Sequence, residues 1–240
     1  MDLGVYKPAR WLFDNVVSYN KLKLQRSRVR LFRSFVRAGD LCFDVGANKG
    51  DYTAALRGAG ARVVAVEPQP SCVRELKARF GGDNSVCIAP TAVGAVRGTG
   101  TFYVREVSGH SGLVKDWIGT NIVSQIEIPV CTLEQLIAEY GRPKYIKIDV
   151  EGYEAAVLAG LKTRVDLISM EYHLLDDDVM QKLTIIEQLS DIAALSFNLL
   201  IDGANAFHWP HFVDHATFRE TFPRKLTEEH ALGDIFVAMR

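Results

Sequence analysis

From residue 41 onward the chain alternates short apolar runs with segments whose apolar residues recur every three or four positions. Strands are predicted at 41–45, 62–67 and 85–89, with helices at 51–58 and 71–80 between them. Short runs bounded by small or polar residues suit strands buried on both faces, and the periodic segments suit helices that cover them. The alternation predicts an α/β fold with a mostly parallel, twisted sheet and helices on both faces. Right-handed crossovers then gather the C-terminal ends of the strands, and the turns that follow them, along one edge.

Residues 99–131 break the rhythm. The runs 101–105 and 125–131 read as two edge strands around a polar loop, 106–124, which makes a small hairpin insertion. The alternation then resumes with a helix at 133–139, strands at 144–149 and 165–172, an amphipathic helix at 178–194 and strands at 195–201 and 235–239. Ahead of the sheet, Trp11, Phe13, Leu31, Phe32 and Phe35 recur at helical spacing among basic residues. The expected organisation is a basic amphipathic helical extension over 1–37 and a single domain over 38–240, with no internal repeat or linker that marks a second.

At 240 residues and 48% apolar, the chain can bury a full core. Its net charge of −1 argues against a general nucleic-acid binder, whose footprint is basic. The charge is uneven, because nine Lys or Arg stand between residues 7 and 37 against the single acid Asp14. That segment is either a solvated basic face or a contact for an anionic membrane surface or a partner protein. Cys42, Cys72, Cys87 and Cys131 are too far apart for a metal-binding pattern and read as reduced core residues. No run approaches the roughly 20 apolar residues that span a bilayer and no signal-peptide pattern is visible, so a soluble, cytoplasmic protein is expected. The pattern does not specify an oligomeric state.

The chemistry gathers around the first strand. It runs into Gly46-Ala47-Asn48-Lys49-Gly50 and then into a helix, a turn whose unpaired N–H groups can cradle a ligand. A dinucleotide turn would need glycines where Asn48 and Asp51 stand, which weakens the pyrophosphate reading. Asp44, just before the turn, would repel phosphate but attract an ammonium group. Glu67 ends the second strand, where an acid accepts hydrogen bonds from ribose hydroxyls. Together these features ask for a ligand with a ribose and a cationic amino-acid portion, and S-adenosylmethionine has both.

The motifs FDVGANKGDYT, AVEPQP, TAVG at 91–94, YIKIDVEGYE at 145–154 and ISMEYH at 168–173, in that order and spacing, resemble the FkbM-type S-adenosylmethionine-dependent methyltransferases. The resemblance covers roughly residues 38–175 and implies the Rossmann-like class I methyltransferase fold. By the same match, Asp44, Gly46, Asn48, Gly50, Glu67, Pro68, Thr91, Ala92 and Asp149 are the cofactor-binding candidates. The family's activity implies O-methylation of a hydroxyl on a sugar, glycan or secondary metabolite, a small-molecule or glycan acceptor rather than nucleic acid. In such folds an insertion ahead of the fourth core strand often shapes the acceptor pocket, which makes the loop 106–124 a candidate for substrate selection.

Methyl transfer to a hydroxyl needs an aligned acceptor and a group to take its proton. Asp149, Glu151 and His173 are the catalytic candidates, each at or just beyond a strand end on the same edge. Asp149 and Glu151 could also bind a divalent cation with Glu171, but no metal ligand is assigned. Asp176-Asp177-Asp178 reads as a helix cap, and His208, His211 and His215 as loop residues. Two other functions remain open on these residues, a nicotinamide-dependent oxidoreductase and a non-catalytic module that binds a cofactor or docks on a partner.

Overall fold

A computed structural model describes residues 22–117, 120–173, 176–201, 206–225 and 232–240. Helix α1 covers residues 22–32. It is followed by β1 (Leu41–Val45), α2 (Asp51–Ala59), β2 (Arg62–Val66), α3 (Pro70–Phe80), β3 (Val86–Ala89) and the two-residue β4 (Ala92–Val93). Then come β5 (Gly98–Arg105), a 3₁₀ turn at Ser108–His110, β6 (Ile122–Cys131), α4 (Leu133–Tyr140) and β7 (Tyr145–Ile148). The chain closes with α5 (Glu154–Ala159), β8 (Leu167–His173), α6 (Asp176–Ser190), β9 (Leu195–Ile201), α7 (His215–Lys225) and β10 (Leu232–Met239).

Seven strands form the main sheet in the order β3-β2-β1-β7-β8-β10-β9. All its neighbours run parallel except β10, which is antiparallel to both β8 and β9. This is the Rossmann-like class I methyltransferase arrangement. From β1 the chain winds outward through β2 and β3, then returns to lay β7 on the other side of β1. The gap between the ends of β1 and β7 is therefore the switch point at which open α/β sheets take ligands.

Local chemistry fixes several boundaries. Thr132 and Gln135 form a reciprocal capping box at the start of α4, and Pro70 stands at the first turn of α3, where its missing N–H costs nothing. Gly60 ends α2 in the left-handed conformation at φ 101°. The strands β1 and β7 are buried along their whole length, including the one charged residue in each, Asp44 and Lys147.

The hairpin β5–β6 forms as expected but does not extend an edge of the main sheet. It pairs with β4 in a separate three-stranded sheet, β4-β6-β5, with its own small core of Ala92, Phe102, Ile128 and Val130. Two residues were too short a run to announce β4. The short α5 and the helix α7 also went unforeseen, so His215 opens a helix rather than lying in a loop. Asp176 does begin α6. Cys87 is exposed rather than core, because β3 is an edge strand; Cys42 and Cys72 are buried.

The end of α1 and the segment after it pack onto the sheet, with Phe32 and Val36 buried against Cys42, Leu56, Tyr145 and Phe236. Much of the proposed basic extension, residues 1–21, lies outside the described residues. Among the described residues no helix is long and apolar enough to cross a membrane.

Candidate functional site

A cavity of about 150 Å³ opens at the β1/β7 switch point. It is lined by Gly46 and Asn48 from the turn after β1, Glu67 and Pro68 after β2, Thr91 and Ala92 around β4, and Asp149 and Glu151 after β7. Glu171 of β8 completes the wall. Strand-end residues separated by more than a hundred positions thus meet at one place.

Glu67 ties two of these turns together. Its carboxylate, 5% exposed, accepts the Asn48 N–H at 2.8 Å and the Gln69 N–H at 2.7 Å. Burial raises its pKa to about 7, against the pull of those two N–H bonds. A carboxylate has about four acceptor positions, so two remain for groups in the cavity. Asn48 itself holds the left-handed conformation at φ 46° and accepts bonds from Cys72 Sγ at 3.2 Å and Ser108 Oγ at 3.1 Å. Its side chain thereby anchors the insertion loop to the β1 turn.

Gly46 is required by close approach. At φ 82° a Cβ there would fall 1.7 Å from the Asp149 carbonyl oxygen. Two of the cofactor candidates sit elsewhere. Gly50 caps α2 with its α-carbon against Leu76 and Phe80, and Asp44 lies behind the cavity wall. Alternation along β1 turns Val45 to the cavity and Asp44 to the other face, where Oδ2 accepts the Thr53 hydroxyl at 2.6 Å. Asp44 Oδ1 is buried without a hydrogen-bond partner, and burial raises the pKa of the group despite the nearby Lys147.

Asp149, Glu151 and Glu171 form a carboxylate cluster, each offering an oxygen within 4.8 Å of the others. Burial and the charge of Asp149 push Glu151 up to about 7 and Glu171 up to about 9. Such a trio has the spacing to hold a hard divalent cation. One oxygen of Asp149 is already engaged, because Lys147 Nζ lies 2.6 Å from its Oδ2. His173 ends β8 on the same edge, but its side chain lies outside the described residues.

Three contributors were missed in the sequence. Lys147 is 1% exposed, pairs with Asp149 and sits 4.1 Å from the centre of the Tyr52 ring. Its charge is held firmly, its pKa raised well above the usual value because Asp149 and neighbouring acids outweigh burial. Trp117 donates its indole N–H to Glu151 Oε2 at 2.8 Å and packs where a Cβ on Gly152 would otherwise stand. Glu154 accepts the N–H groups of Val150 and Gly152, both at 3.3 Å, and so shapes the turn that carries Glu151 at φ 55°. The YIKIDVEGYE run contains Lys147 and Glu154, and an ionic residue inside a buried strand or at a helix start is a signal that could have found them. Nothing local marked Trp117.

The insertion loop lies over this same cavity, with Ser108, Ser111 and Leu113 in its lining. His110, one of its members, accepts the Thr120 N–H at Nδ1 and braces the loop.

The family model of the methyltransferase FkbM domain matches residues 44–197. The chain belongs to that family. The matched span contains the whole wall described above. Comparison with curated proteins returns no match. Among solved structures, the chain is similar to precorrin-6Y C5,15-methyltransferase from Geobacter metallireducens at 10% identity, covering 91% of this chain and 88% of that one, with a TM-score of 0.45. Fibrillarin from Aeropyrum pernix, bound to S-adenosylmethionine, is similar at 10% identity over 85% and 68% of the two chains, TM-score 0.48. An O-methyltransferase from Bacillus cereus, in complex with S-adenosylhomocysteine, aligns at 13% identity over 92% and 79%, TM-score 0.43.

Proposed function

We propose that this FkbM methyltransferase uses S-adenosylmethionine to methylate a hydroxyl oxygen, on a sugar, glycan or secondary metabolite as the family resemblance implies. The observation that carries the reading is the cavity wall itself, where Glu67 stands at one end and the trio of Asp149, Glu151 and Glu171 at the other. The residues fit the cofactor. Glu67 keeps two acceptor positions for the ribose hydroxyls, Gly46 leaves room for the amino-acid portion, and Asp44 Oδ1, buried without a hydrogen-bond partner, is an acceptor close behind it. Thr91 and Ala92 take the adenine end.

When bound, the cofactor supplies an electrophilic methyl group, so that breaking its S–C bond and forming the O–C bond leaves one proton to be removed from the attacking hydroxyl. Asp149 takes that proton. Lys147 holds its Oδ2 and leaves Oδ1 to accept the hydroxyl proton. Glu151 and Glu171, with their raised affinity for protons, keep negative charge from accumulating beside it.

Calorimetric titration with S-adenosylmethionine and with NADH tests the cofactor, and only the first is expected to bind. Incubation with ¹³C-methyl-labelled cofactor and a pool of alcohols, followed by NMR of the methyl carbon, distinguishes an ether product from a carbon- or nitrogen-bound methyl. Binding of NADH alone, or a labelled methyl on carbon, would sink the assignment.

A further inference from the structure

Helix α1 carries a line of charge that neither the sheet nor the cofactor cavity uses. Lys23, Arg26, Arg30, Arg33 and Arg37 follow one another at alternating steps of three and four residues, the spacing that keeps side chains on one helix face. All five are exposed. Arg33 opens the turn that continues the helix, its N–H still closing on the Val29 carbonyl. No Asp or Glu stands between residues 22 and 37. We infer that this stripe docks the protein on an anionic membrane surface, with Leu22 entering the headgroup region beside it. The stripe lies outside the cofactor cavity and does not depend on what fills it.

The opposite face of α1 fixes the stripe outward. Phe32 and Val36 are buried, Val29 fills the space that a Cβ on Gly58 of α2 would need, and Gln25 Nε2 donates to the Asp51 carbonyl at 3.2 Å. The helix therefore cannot turn its apolar face into a bilayer, and the contact left to it is chiefly electrostatic. Lys23, Arg26, Arg30 and Arg37 have no side-chain partner among the described residues. Like charges three and four residues apart repel along a helix, and solvated surfaces ordinarily intersperse acids that relieve this. Nothing in α1 does so. A negatively charged plane meets all five cations at once and removes that repulsion.

Leu22 decides between a membrane and the other large polyanion, nucleic acid. It is 58% exposed and stands one turn before Arg26, beside the stripe. An aliphatic side chain gains from the boundary between headgroups and acyl chains, but gives a base no ring to stack on. The aromatic residue of α1, Phe32, is buried in the core.

The test is co-flotation of the full chain with vesicles of phosphatidylcholine containing about 30% phosphatidylserine, at about 0.05 M salt. Binding is expected, and is expected to be lost at about 0.5 M salt, where the charges are screened. The combined variant Lys23→Gln, Arg26→Gln, Arg30→Gln and Arg37→Gln should bind about tenfold or more weakly, and Leu22→Gln about threefold. Arg74→Gln, Lys77→Gln, Arg97→Gln and Lys162→Gln together remove the same charge from exposed positions elsewhere and should stay within about twofold of wild type. Arg26→Lys, Arg30→Lys and Arg37→Lys together keep the charge and should retain binding, which separates lost charge from a disturbed helix. Absence of vesicle binding at low salt, indifference to the four α1 substitutions, equal loss in the variant altered elsewhere, or loss in the lysine variant overturns the proposal. Tighter binding to poly(U) RNA than to vesicles, falling with the same α1 substitutions, would assign the stripe to nucleic acid and overturn it as well.

Discussion

Lys147 Nζ and Asp149 Oδ2 lie 2.6 Å apart on the same strand end, with the lysine 1% exposed and the carboxylate 27%. Residues two apart on a strand share a face, so one apolar run delivers both a charge and its partner to the site. The lysine has no route to water, and Asp44 and Asp234 surround it with further negative charge. The contact holds Asp149 Oδ2 in place and leaves the acid's other oxygen facing the cavity's carboxylate cluster.

Replacing Lys147 with Met is expected to leave Asp149 half-buried and uncompensated. Removing one member of a buried pair costs about 3 kcal/mol, read as a shift in the urea midpoint. Turnover should fall by about 100-fold or more. Lys147→Arg, which keeps the charge but not the compact ammonium, should recover stability in part and turnover little. Full activity in the Met variant would remove the positioning role.

The acidic cluster predicts a pH dependence. Glu67, Glu151 and Glu171 have folded pKa values raised to about 7, about 7 and about 9, chiefly by burial. The folded protein therefore binds more protons than the unfolded chain above the ordinary carboxylate range. Their contribution to stability is complete below the unfolded carboxylate value and is lost as pH rises through about 7 for Glu67 and Glu151, and about 9 for Glu171. Tm should fall steadily between pH 5.5 and 9, values chosen roughly to bracket that window. Glu171→Gln should flatten the alkaline part of the slope. A Tm that rises over the same interval would contradict the buried placement of these acids.

The two ends of the cofactor cavity can be probed independently. In Gly46→Ala the new Cβ would overlap the Asp149 carbonyl oxygen and would sit at a φ that disfavours any side chain. Tm is expected to fall by about 5 °C or more, and S-adenosylmethionine affinity by more than about tenfold. Glu67→Gln keeps the shape but sets an amide NH₂ against one of the two backbone N–H groups that Glu67 accepts. Affinity should again drop about tenfold, this time with a smaller change in Tm. Unaltered affinity in both variants, measured by calorimetry, would move the cofactor out of this cavity.

The parts of this site that were readable from sequence are those that depend on local pattern. Strand ends followed by glycine or acid, such as Val45-Gly46 and Val66-Glu67, declare themselves because period and turn chemistry change at the same residue. Asp44 shows the limit: in a strand buried on both faces an apolar run does not say which face meets the ligand, and Thr53 decides it. Lys147 was hidden as an interruption in an apolar strand. The Trp117–Glu151 bond joins residues 34 positions apart, and Leu24 and Leu232 line one cavity between α1 and β10. No window along the chain contains such pairs, so only the folded structure brings them into view.

Glu154 offers the sharpest separation of stability from catalysis. It is 2% exposed and pairs at 2.8 Å with Lys182, which is 1% exposed, while its other oxygen receives the Val150 and Gly152 N–H groups. Glu154→Ala should cost about 3 kcal/mol, because it removes the carboxylate that pairs with the buried Lys182 and the acceptor of two N–H donors. Replacing both partners, Glu154→Leu with Lys182→Met, exchanges the ion pair for apolar groups of similar volume, a change that is often neutral or stabilising. The double variant should therefore recover most of the urea midpoint. It cannot restore the acceptor for Val150 and Gly152, so the turn that presents Glu151 loosens and kcat stays depressed by about tenfold. A double variant with wild-type kcat would show that Glu154 serves folding alone, and one that fails to regain stability would show that the pair is more than an exchangeable buried contact.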